Sequence, residues 1–312
     1  MIRFLSPVLF LMVFSCQTPA DTDSKGIEHV IVIGVDGLSP DGIKKAKTPV
    51  IDDMIANGSV KWNVRTVLTT ASSQNWASMI MGAGPEAHGI IDNDWERDKH
   101  TLPAIVAGEE GIFPTIFGRI REARPDAEIG TAYHWGGFGR LFEKKAVNHD
   151  KTFKSEDSTC TDFTAYIRGK KPTFGFVHFD HVDHAGHHEG HGTPAYYDAV
   201  AKTDSLVGEV LKAVKEAGME ENTLVIITAD HGGVGKGHGG ATPEEGEIAM
   251  VLYGKGVKKG YVIQQQVYTY DLAATIAYVF DIVPPYAWTG RPIKPAFEGQ
   301  DEPANLWTGI KP

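Results

Sequence analysis

The chain has 312 residues, of which 42% are hydrophobic and 22% charged, and its formal net charge is −10. This length suits one large α/β domain or two small ones, and the composition is that of a globular protein. The acidic balance gives no basic surface of the kind that reads nucleic acid, so we predict no sequence-specific nucleic-acid binding. It does not exclude an anionic substrate, because bound metal ions can dominate the local field.

The N-terminus has the features of a targeting segment. Arg3 precedes an apolar run from Leu5 to Phe14, which is too short to span a bilayer and is typical of a signal peptide. The run ends in VFSC, which resembles a bacterial lipobox with Cys16 as the lipidated residue. We therefore predict a signal peptide over 1–16, a polar tether over 17–26 and a lipoprotein of the bacterial cell envelope, in the periplasm or at the outer membrane. A plain secretory signal with an incidental Cys16 is the alternative.

The first part of the mature chain predicts two strand-to-helix passages. His29 to Val35 is a continuous apolar run, as expected of a buried parallel strand. The helix predicted over Thr48–Asn57 has Thr48 as its N-cap and a proline at its first position. Val60–Leu68 is predicted as a strand and Ser73–Met81 as a helix. Hydroxyl side chains lie at the start of this second helix, where free N–H groups favour an anion, although a serine there is also a common N-cap.

Strands and helices continue to alternate in the rest of the chain. Residues 96–162 are less regular, and we interpret them as a small inserted cap that shapes the substrate site. The pattern predicts one α/β domain over 27–312, with a mostly parallel central sheet and helices on both faces. The further predicted elements are strands at Ala127–Trp135, Thr173–Phe179, Thr223–Thr228 and Ile248–Leu252, and helices at Pro114–Glu122, Pro194–Ala217 and Tyr270–Phe280.

Carboxylates and imidazoles follow several of the predicted strands. Such groups are the ligands that zinc-type metals prefer. Each group alone has an ordinary explanation: a turn aspartate, a solvated histidine-rich loop or a glycine-rich loop. Ligands at the carboxyl ends of parallel strands share one edge of the sheet, so together they match the requirement of a two-metal site. The candidate ligands are Asp36, Asp183, His187, Asp230, His231 and His238.

Five motifs resemble those of the alkaline phosphatase superfamily, specifically its type I phosphodiesterase/nucleotide pyrophosphatase family. They are VIGVDG, SSQNWASMIMGAGPEAHGI, DHAGHHEG, TADHGG and GHGG, and the resemblance extends from Ile31 to Ile293. It implies an alkaline phosphatase-like fold and two zinc ions. One zinc would be held by Asp36, Asp230 and His231, and the other by Asp183, His187 and His238.

The resemblance also implies a nucleophile. Counting back from His88 in the family pattern places Ser72 at the nucleophile position, where it would also bind zinc, and Asn75 at the position of a phosphate-binding asparagine. The family usually has Thr-Phe-Pro-Asn where this chain has Ser-Ser-Gln-Asn. Thr69 and Thr70 remain alternatives, because they lie within two or three residues of Ser72.

The resemblance favours a two-zinc phosphodiesterase or nucleotide pyrophosphatase that acts on a small phosphate ester through a phosphoserine. A neutral Asn75 beside the phosphate, rather than an arginine, favours the single charge of a diester. The alternatives are a phosphomonoesterase, a phosphoethanolamine-type transferase and a non-catalytic zinc-binding surface lipoprotein. A sulfatase is disfavoured, because the residues after Ser72 lack the proline and arginine of the C/S-x-P-x-R pattern. Four histidines are left unassigned and are interpreted mainly as exposed loop residues: His181, His184, His188 and His191.

Overall fold

One eight-stranded sheet organises the protein in a computed structural model that describes residues 26–306. The strand order is β4-β3-β5-β1-β6-β7-β2-β8. All pairings are parallel except those of β7, which runs antiparallel to β6 and β2. The strands are β1 (His29–Val35), β2 (Ser59–Arg65), β3 (Ile129–Tyr133), β4 (His149–Thr152), β5 (Phe174–Phe179), β6 (Thr223–Thr228), β7 (Glu247–Gly254) and β8 (Tyr261–Val262).

The helices form two groups that cover the two faces of the sheet. In one group α1, α2, α6 and α7 pack against α8, and in the other α3 packs against α4, α5 and α10. The prediction of a mostly parallel α/β fold with helices on both faces is therefore confirmed. The helices are α1 (Pro40–Lys45), α2 (Pro49–Ala56), α3 (Ser72–Met81), α4 (Pro85–His88), α5 (Ile116–Ala123), α6 (Glu156–Lys170), α7 (His181–Glu189), α8 (Pro194–Glu216), α9 (Pro243–Gly246) and α10 (Asp271–Val279).

The helix ends follow ordinary capping chemistry. The side chains of Ser39, Ser155 and Thr193 accept hydrogen bonds from the first turns of α1, α6 and α8. Thr48 is the N-cap of α2 as predicted, although its hydroxyl makes no capping hydrogen bond. The predicted strands and helices differ from the observed ones by a few residues at their ends, which is the usual uncertainty of element boundaries.

Two interpretations of the sequence need correction. The histidine-rich segment is helix α7 rather than a loop, because Val182, Asp183 and Gly186 face the protein interior and α7 packs on α8. The segment contains few apolar residues, so the sequence pattern does not indicate a buried helix face. The predicted cap over 96–162 is in part central sheet, since β3 pairs with β5, and β4 pairs with β3. Helix α6 also begins inside this range and was not predicted.

The centre of the sheet is apolar and closely packed. Residues 30–35 of β1 are fully buried. Gly34 is required here, because a Cβ atom at this position would lie 2.8 Å from the Trp76 ring. The Trp76 side chain of α3 therefore packs directly over β1, close to the strand end where the candidate ligands lie.

The predicted signal peptide, Cys16 and residues 17–25 lie outside the described residues, so the lipid anchor stays a prediction. Within 26–306, no helix has the length and apolar character needed to cross a membrane.

Candidate metal centre

Three aspartates meet where β5, β1 and β6 end. These strands are neighbours and run parallel, so Asp183, Asp36 and Asp230 emerge at the same edge of the sheet. Gly37 permits the close approach: its φ is +69°, and a Cβ atom there would lie 2.8 Å from the Cα atom of Asp183. The Gly37 amide also donates to Asp230 Oδ1 at 3.2 Å. The backbone thus holds the three carboxylates together before any ion is considered.

The first cluster surrounds the Nε2 atom of His231. This nitrogen lies 3.3 Å from Asp36 Oδ1, 3.2 Å from Asp230 Oδ2 and 3.3 Å from the Ser72 hydroxyl. His231 and Asp230 are fully buried, and Asp36 is 1% exposed. Neither Asp36 Oδ1 nor Asp230 Oδ2 has a hydrogen-bond partner among the described residues. Two buried carboxylate oxygens without donors therefore face one imidazole nitrogen.

The second cluster surrounds Asp183. Its Oδ2 lies 3.2 Å from His187 Nε2, and its Oδ1 lies 3.8 Å from His238 Nε2. The two histidine Nε2 atoms are 3.1 Å apart. His187 reaches Asp183 from the next turn of α7, whereas His238 comes from the glycine-rich loop after β6. The rings of His238 and His231 stack with centroids 3.7 Å apart, so the two clusters adjoin.

Backbone carbonyls fix the orientation of all three rings. The Nδ1 atom of His187 lies 3.0 Å from the carbonyl oxygen of Lys236, that of His231 lies 2.8 Å from Gly232, and that of His238 lies 2.8 Å from Thr70. A carbonyl oxygen only accepts, so each ring donates from Nδ1 and presents an Nε2 lone pair to the clusters. This is the usual arrangement of metal-binding histidines.

The buried aspartates of the two clusters favour bound cations. Burial, followed by repulsion from Asp230, raises the pKa of Asp36 well above its usual value. Burial and the charge of Asp36 raise the pKa of Asp183 to about 6, and burial and Asp183 raise that of Asp230. Burial also lowers the pKa of His231, which keeps the ring neutral. A neutral His231 ring and buried carboxylate oxygens without donors suit divalent metal ions, so the residues present fit the implied metal centre.

Among the predicted nucleophiles, Ser72 lies against a cluster and its two alternatives have other partners. Ser72 is the first residue of α3, and its hydroxyl points to His231 Nε2. The Thr70 hydroxyl donates to the Gly240 carbonyl oxygen and accepts from the Gly239 amide. The exposed Thr69 accepts a hydrogen bond from Gln74 at 2.6 Å. The structure thus brings Ser72 to the clusters, whereas Thr70 holds the loop that carries His238.

Asn75 is buried one turn after the start of α3. Its Oδ1 accepts from the Val67 amide at 2.8 Å, and its Nδ2 donates to carbonyl oxygens of the loop before α3, including Ala71 at 3.0 Å. In this arrangement Asn75 shapes the loop between β2 and Ser72. Its contact with a phosphate stays a prediction.

Trp76 and His178 contact the centre, although the sequence analysis does not assign them to it. Trp76 Nε1 donates to Asp36 Oδ2 at 3.1 Å, and His178 Nε2 lies 3.3 Å from the same oxygen. Both side chains are fully buried. Ligand atoms of Asp36, His178 and Asp180 also lie within 4.8 Å of one another, but Oδ2 of Asp36 already has these two donors. In the sequence, Trp76 lies inside a predicted helix and His178 inside a predicted buried strand. Nothing in the sequence distinguishes them from ordinary core residues.

The unassigned histidines have different surroundings. Thr203 Oγ1 lies 3.0 Å from His181 Nε2, so this ring helps to join α7 to α8. The His191 ring lies between Gly186 and Gly233, where added Cβ atoms would lie 2.4 and 2.2 Å from its Nε2. His184 and His188 are exposed on α7.

Comparison with known proteins identifies the family. The family model for type I phosphodiesterase / nucleotide pyrophosphatase matches residues 30–110 and 124–236. The chain belongs to this family. It is 24% identical over 226 residues to bis(5'-adenosyl)-triphosphatase ENPP4 of Homo sapiens, covering 68% of this chain and 49% of that protein. The chain thus spans about half the length of that relative.

Solved structures show the same fold. Murine ectonucleotide pyrophosphatase / phosphodiesterase 5, an inactive form in complex with AMP, matches with a TM-score of 0.69 and 16% identity, over 83% of this chain and 96% of that one. A 2-O GAG sulfatase matches with a TM-score of 0.70 and 18% identity, over 88% of this chain and 75% of that one. The phosphodiesterase family and the sulfatase share this α/β architecture, so the fold alone does not select the reaction.

Proposed function

We propose that this chain is a metal-dependent phosphodiesterase in which Ser72 is the nucleophile. The observation that carries the proposal is the position of the Ser72 hydroxyl, 3.3 Å from His231 Nε2 and at the first residue of α3. It lies against a cluster in which Asp36 Oδ1 and Asp230 Oδ2 lack donors among the described residues, and the chain belongs to a family of phosphodiesterases and nucleotide pyrophosphatases.

The ligand chemistry supports two zinc ions. Asp36, Asp230, His231 and Ser72 would hold one. Asp183, His187 and His238 would hold the other. Bound divalent cations lower the pKa of a hydroxyl nucleophile and neutralise charge on phosphate oxygens. The protein supplies preorganised ligands: Nδ1 of each histidine is fixed by a carbonyl oxygen, and Gly37 fixes one oxygen of Asp230.

The reaction proceeds by two displacements at phosphorus. The Ser72 oxygen bonds to phosphorus as the bond to one ester oxygen breaks, and the hydroxyl proton ends on the departing alcohol. Water then breaks the bond between phosphorus and Ser72, which releases the phosphate monoester and restores the hydroxyl. Ser72 begins α3, and N–H groups in the first turn of a helix would stabilise charge on a phosphate bound there. In this structure the Ser73 N–H donates to Asn93 Oδ1 at 2.8 Å.

Neutral side chains beside the nucleophile favour a diester. Ser72 is followed by Ser73, Gln74 and Asn75, none of which carries a charge to match the second negative charge of a monoester. The names of the relatives point to nucleotides as the first natural substrates to test.

Steady-state hydrolysis tests the proposal. The zinc-loaded full chain in detergent is compared on bis-p-nitrophenyl phosphate, p-nitrophenyl phosphate and p-nitrophenyl sulfate. We expect the highest kcat/KM for the diester. A preference for the monoester would make the protein a phosphatase, and zinc binding without turnover of any ester would support the zinc-binding lipoprotein instead.

We also infer that the enzyme is anchored in the cell envelope through Cys16. The support is the lipobox-like VFSC sequence after the apolar run. We expect mass spectrometry of the mature N-terminus to find a lipidated Cys16. We expect membrane fractionation to find the Cys16→Ser variant in the soluble fraction. An unmodified cysteine would contradict the anchor.

A further inference from the structure

His184 and His188 form an exposed pair that the catalytic clusters do not use. They lie one turn apart on α7, with ring centroids 4.3 Å apart and ring planes inclined by 37°. Both residues are exposed. Neither imidazole has a hydrogen-bond or ion-pair partner within 26–306, so both rings are free to rotate toward a shared ligand.

The spacing of the pair is that of a chelating site. Residues four apart on a helix project from the same face, and two imidazoles placed in this way can bind one zinc-type ion together. The neighbouring His187 projects differently, because its Nε2 faces Asp183 at 3.2 Å in the inner cluster. The exposed pair is therefore separate from the inner ligands, although all of them share one helix.

The helix that carries the pair is held in place before any ion binds. The His184 amide donates to the Asp180 carbonyl oxygen at 3.1 Å, and the Gly190 amide donates to Gly186 at 2.9 Å. Lys236 Nζ donates to the His188 carbonyl oxygen at 2.6 Å. Binding thus orders two side chains and no backbone, which keeps its entropic cost small.

We propose that His184 and His188 form an accessory site for a zinc-type divalent cation, with water completing the coordination. Two exposed protein ligands bind more weakly than the three or four groups of an inner cluster, so this site fills after the inner ones. The proposal does not depend on the function proposed above, because neither residue touches the Ser72 region.

Equilibrium dialysis against Zn²⁺ tests the site on the full chain in detergent. We expect a weak binding step beyond the tightly held zinc. The His184→Gln/His188→Gln variant loses this step, keeps the tightly held zinc and retains wild-type diester hydrolysis. Each single variant weakens the step by about tenfold or more, because one imidazole has lost its chelating partner.

A spacing control separates chelation from general histidine content. The His188→Gln/Glu189→His variant keeps the number of histidines but places the pair five residues apart, on different sides of the helix. We expect it to lose the weak step, whereas His100→Gln, an exposed histidine elsewhere, keeps it. A weak step that persists in the double or the spacing variant, or that is missing from the wild type, overturns the proposal. Failure of the proposed function would instead appear as absent hydrolysis with the weak step intact.

Discussion

The Nε2 atoms of His187 and His238 face each other at 3.1 Å, while the Nδ1 atom of each ring lies against a backbone carbonyl oxygen. Two rings oriented in this way direct their Nε2 atoms at the same point. Asp183 Oδ2 lies 3.2 Å from His187 Nε2, which adds a negative group to two electron-rich nitrogens. Asp183, His187 and His238 would hold a cation, which would replace this repulsion with coordination.

Replacement of His238 by alanine should therefore remove one metal ion and leave the other. We expect bound zinc to fall from about two to about one per chain and kcat to fall by at least about 100-fold, since a ligand matters more than its outer partners. Metal analysis and steady-state kinetics on one preparation measure both. Retention of both ions would contradict the assignment of His238.

The contribution of Asp183 to the stability of the metal-free protein should fall as the pH rises. The pKa of Asp183 is about 6 in the folded state, because of burial and the charge of Asp36, and about 4 in an unfolded chain. The folded state therefore holds a proton that the unfolded state has released between these values. This contribution, about 3 kcal/mol, is fully present below about pH 4 and is lost by about pH 6.

Urea denaturation of the chelated protein between pH 4 and 7 measures this effect. Asp183→Asn provides the control, since it removes this titrating group and leaves the other buried groups in place. The stability of the wild type relative to the variant should fall between pH 4 and pH 6. Equal slopes for the variant and the wild type would show that Asp183 does not contribute.

Trp76 and His178 should act as positioning residues for Asp36. Both contact Oδ2, at 3.1 and 3.3 Å, and leave Oδ1 directed at His231. Trp76→Phe removes the N–H group and keeps most of the ring packing, and we expect zinc affinity or kcat to fall by about 10- to 100-fold with KM little changed. His178→Gln retains a donor and should be milder than His178→Leu. Unchanged zinc affinity and kcat in Trp76→Phe would contradict this role.

Thr70 should support His238 rather than react. Its hydroxyl joins the Gly239 amide to the Gly240 carbonyl oxygen, and its own carbonyl oxygen accepts from His238. Thr70→Val should weaken zinc binding at the His238 cluster by about tenfold, and Thr70→Ser should restore it. A Thr70→Val variant that binds both zinc ions normally but does not turn over would instead identify Thr70 as the nucleophile.

The sequence predicted the strand ends because parallel strands that follow buried apolar runs must end at one edge of the sheet. From this rule, the sequence alone predicts that Asp36, Asp183 and Asp230 lie close together. Helix α7 was missed because its inward face contains few apolar residues. Strand β7 reads as an ordinary apolar run, and no residue in it marks its antiparallel direction.

The remaining contacts of the site could not be predicted, because they are made by backbone atoms distant in sequence. The carbonyl oxygens of Thr70 and Lys236 orient His238 and His187, and a carbonyl oxygen has no sequence signature. Trp76 was predicted only as part of a helix. Its contact with Asp36 depends on Gly34, whose missing side chain lets the indole ring approach the strand.

Turnover of bis-p-nitrophenyl phosphate by Ser72→Ala, with bound zinc measured on the same sample, tests the central claim most directly. We expect kcat to fall by at least about 10³-fold, as for other enzymes that lose their nucleophile, while most of the zinc remains bound. Substantial activity in the zinc-loaded variant would contradict a mechanism through Ser72.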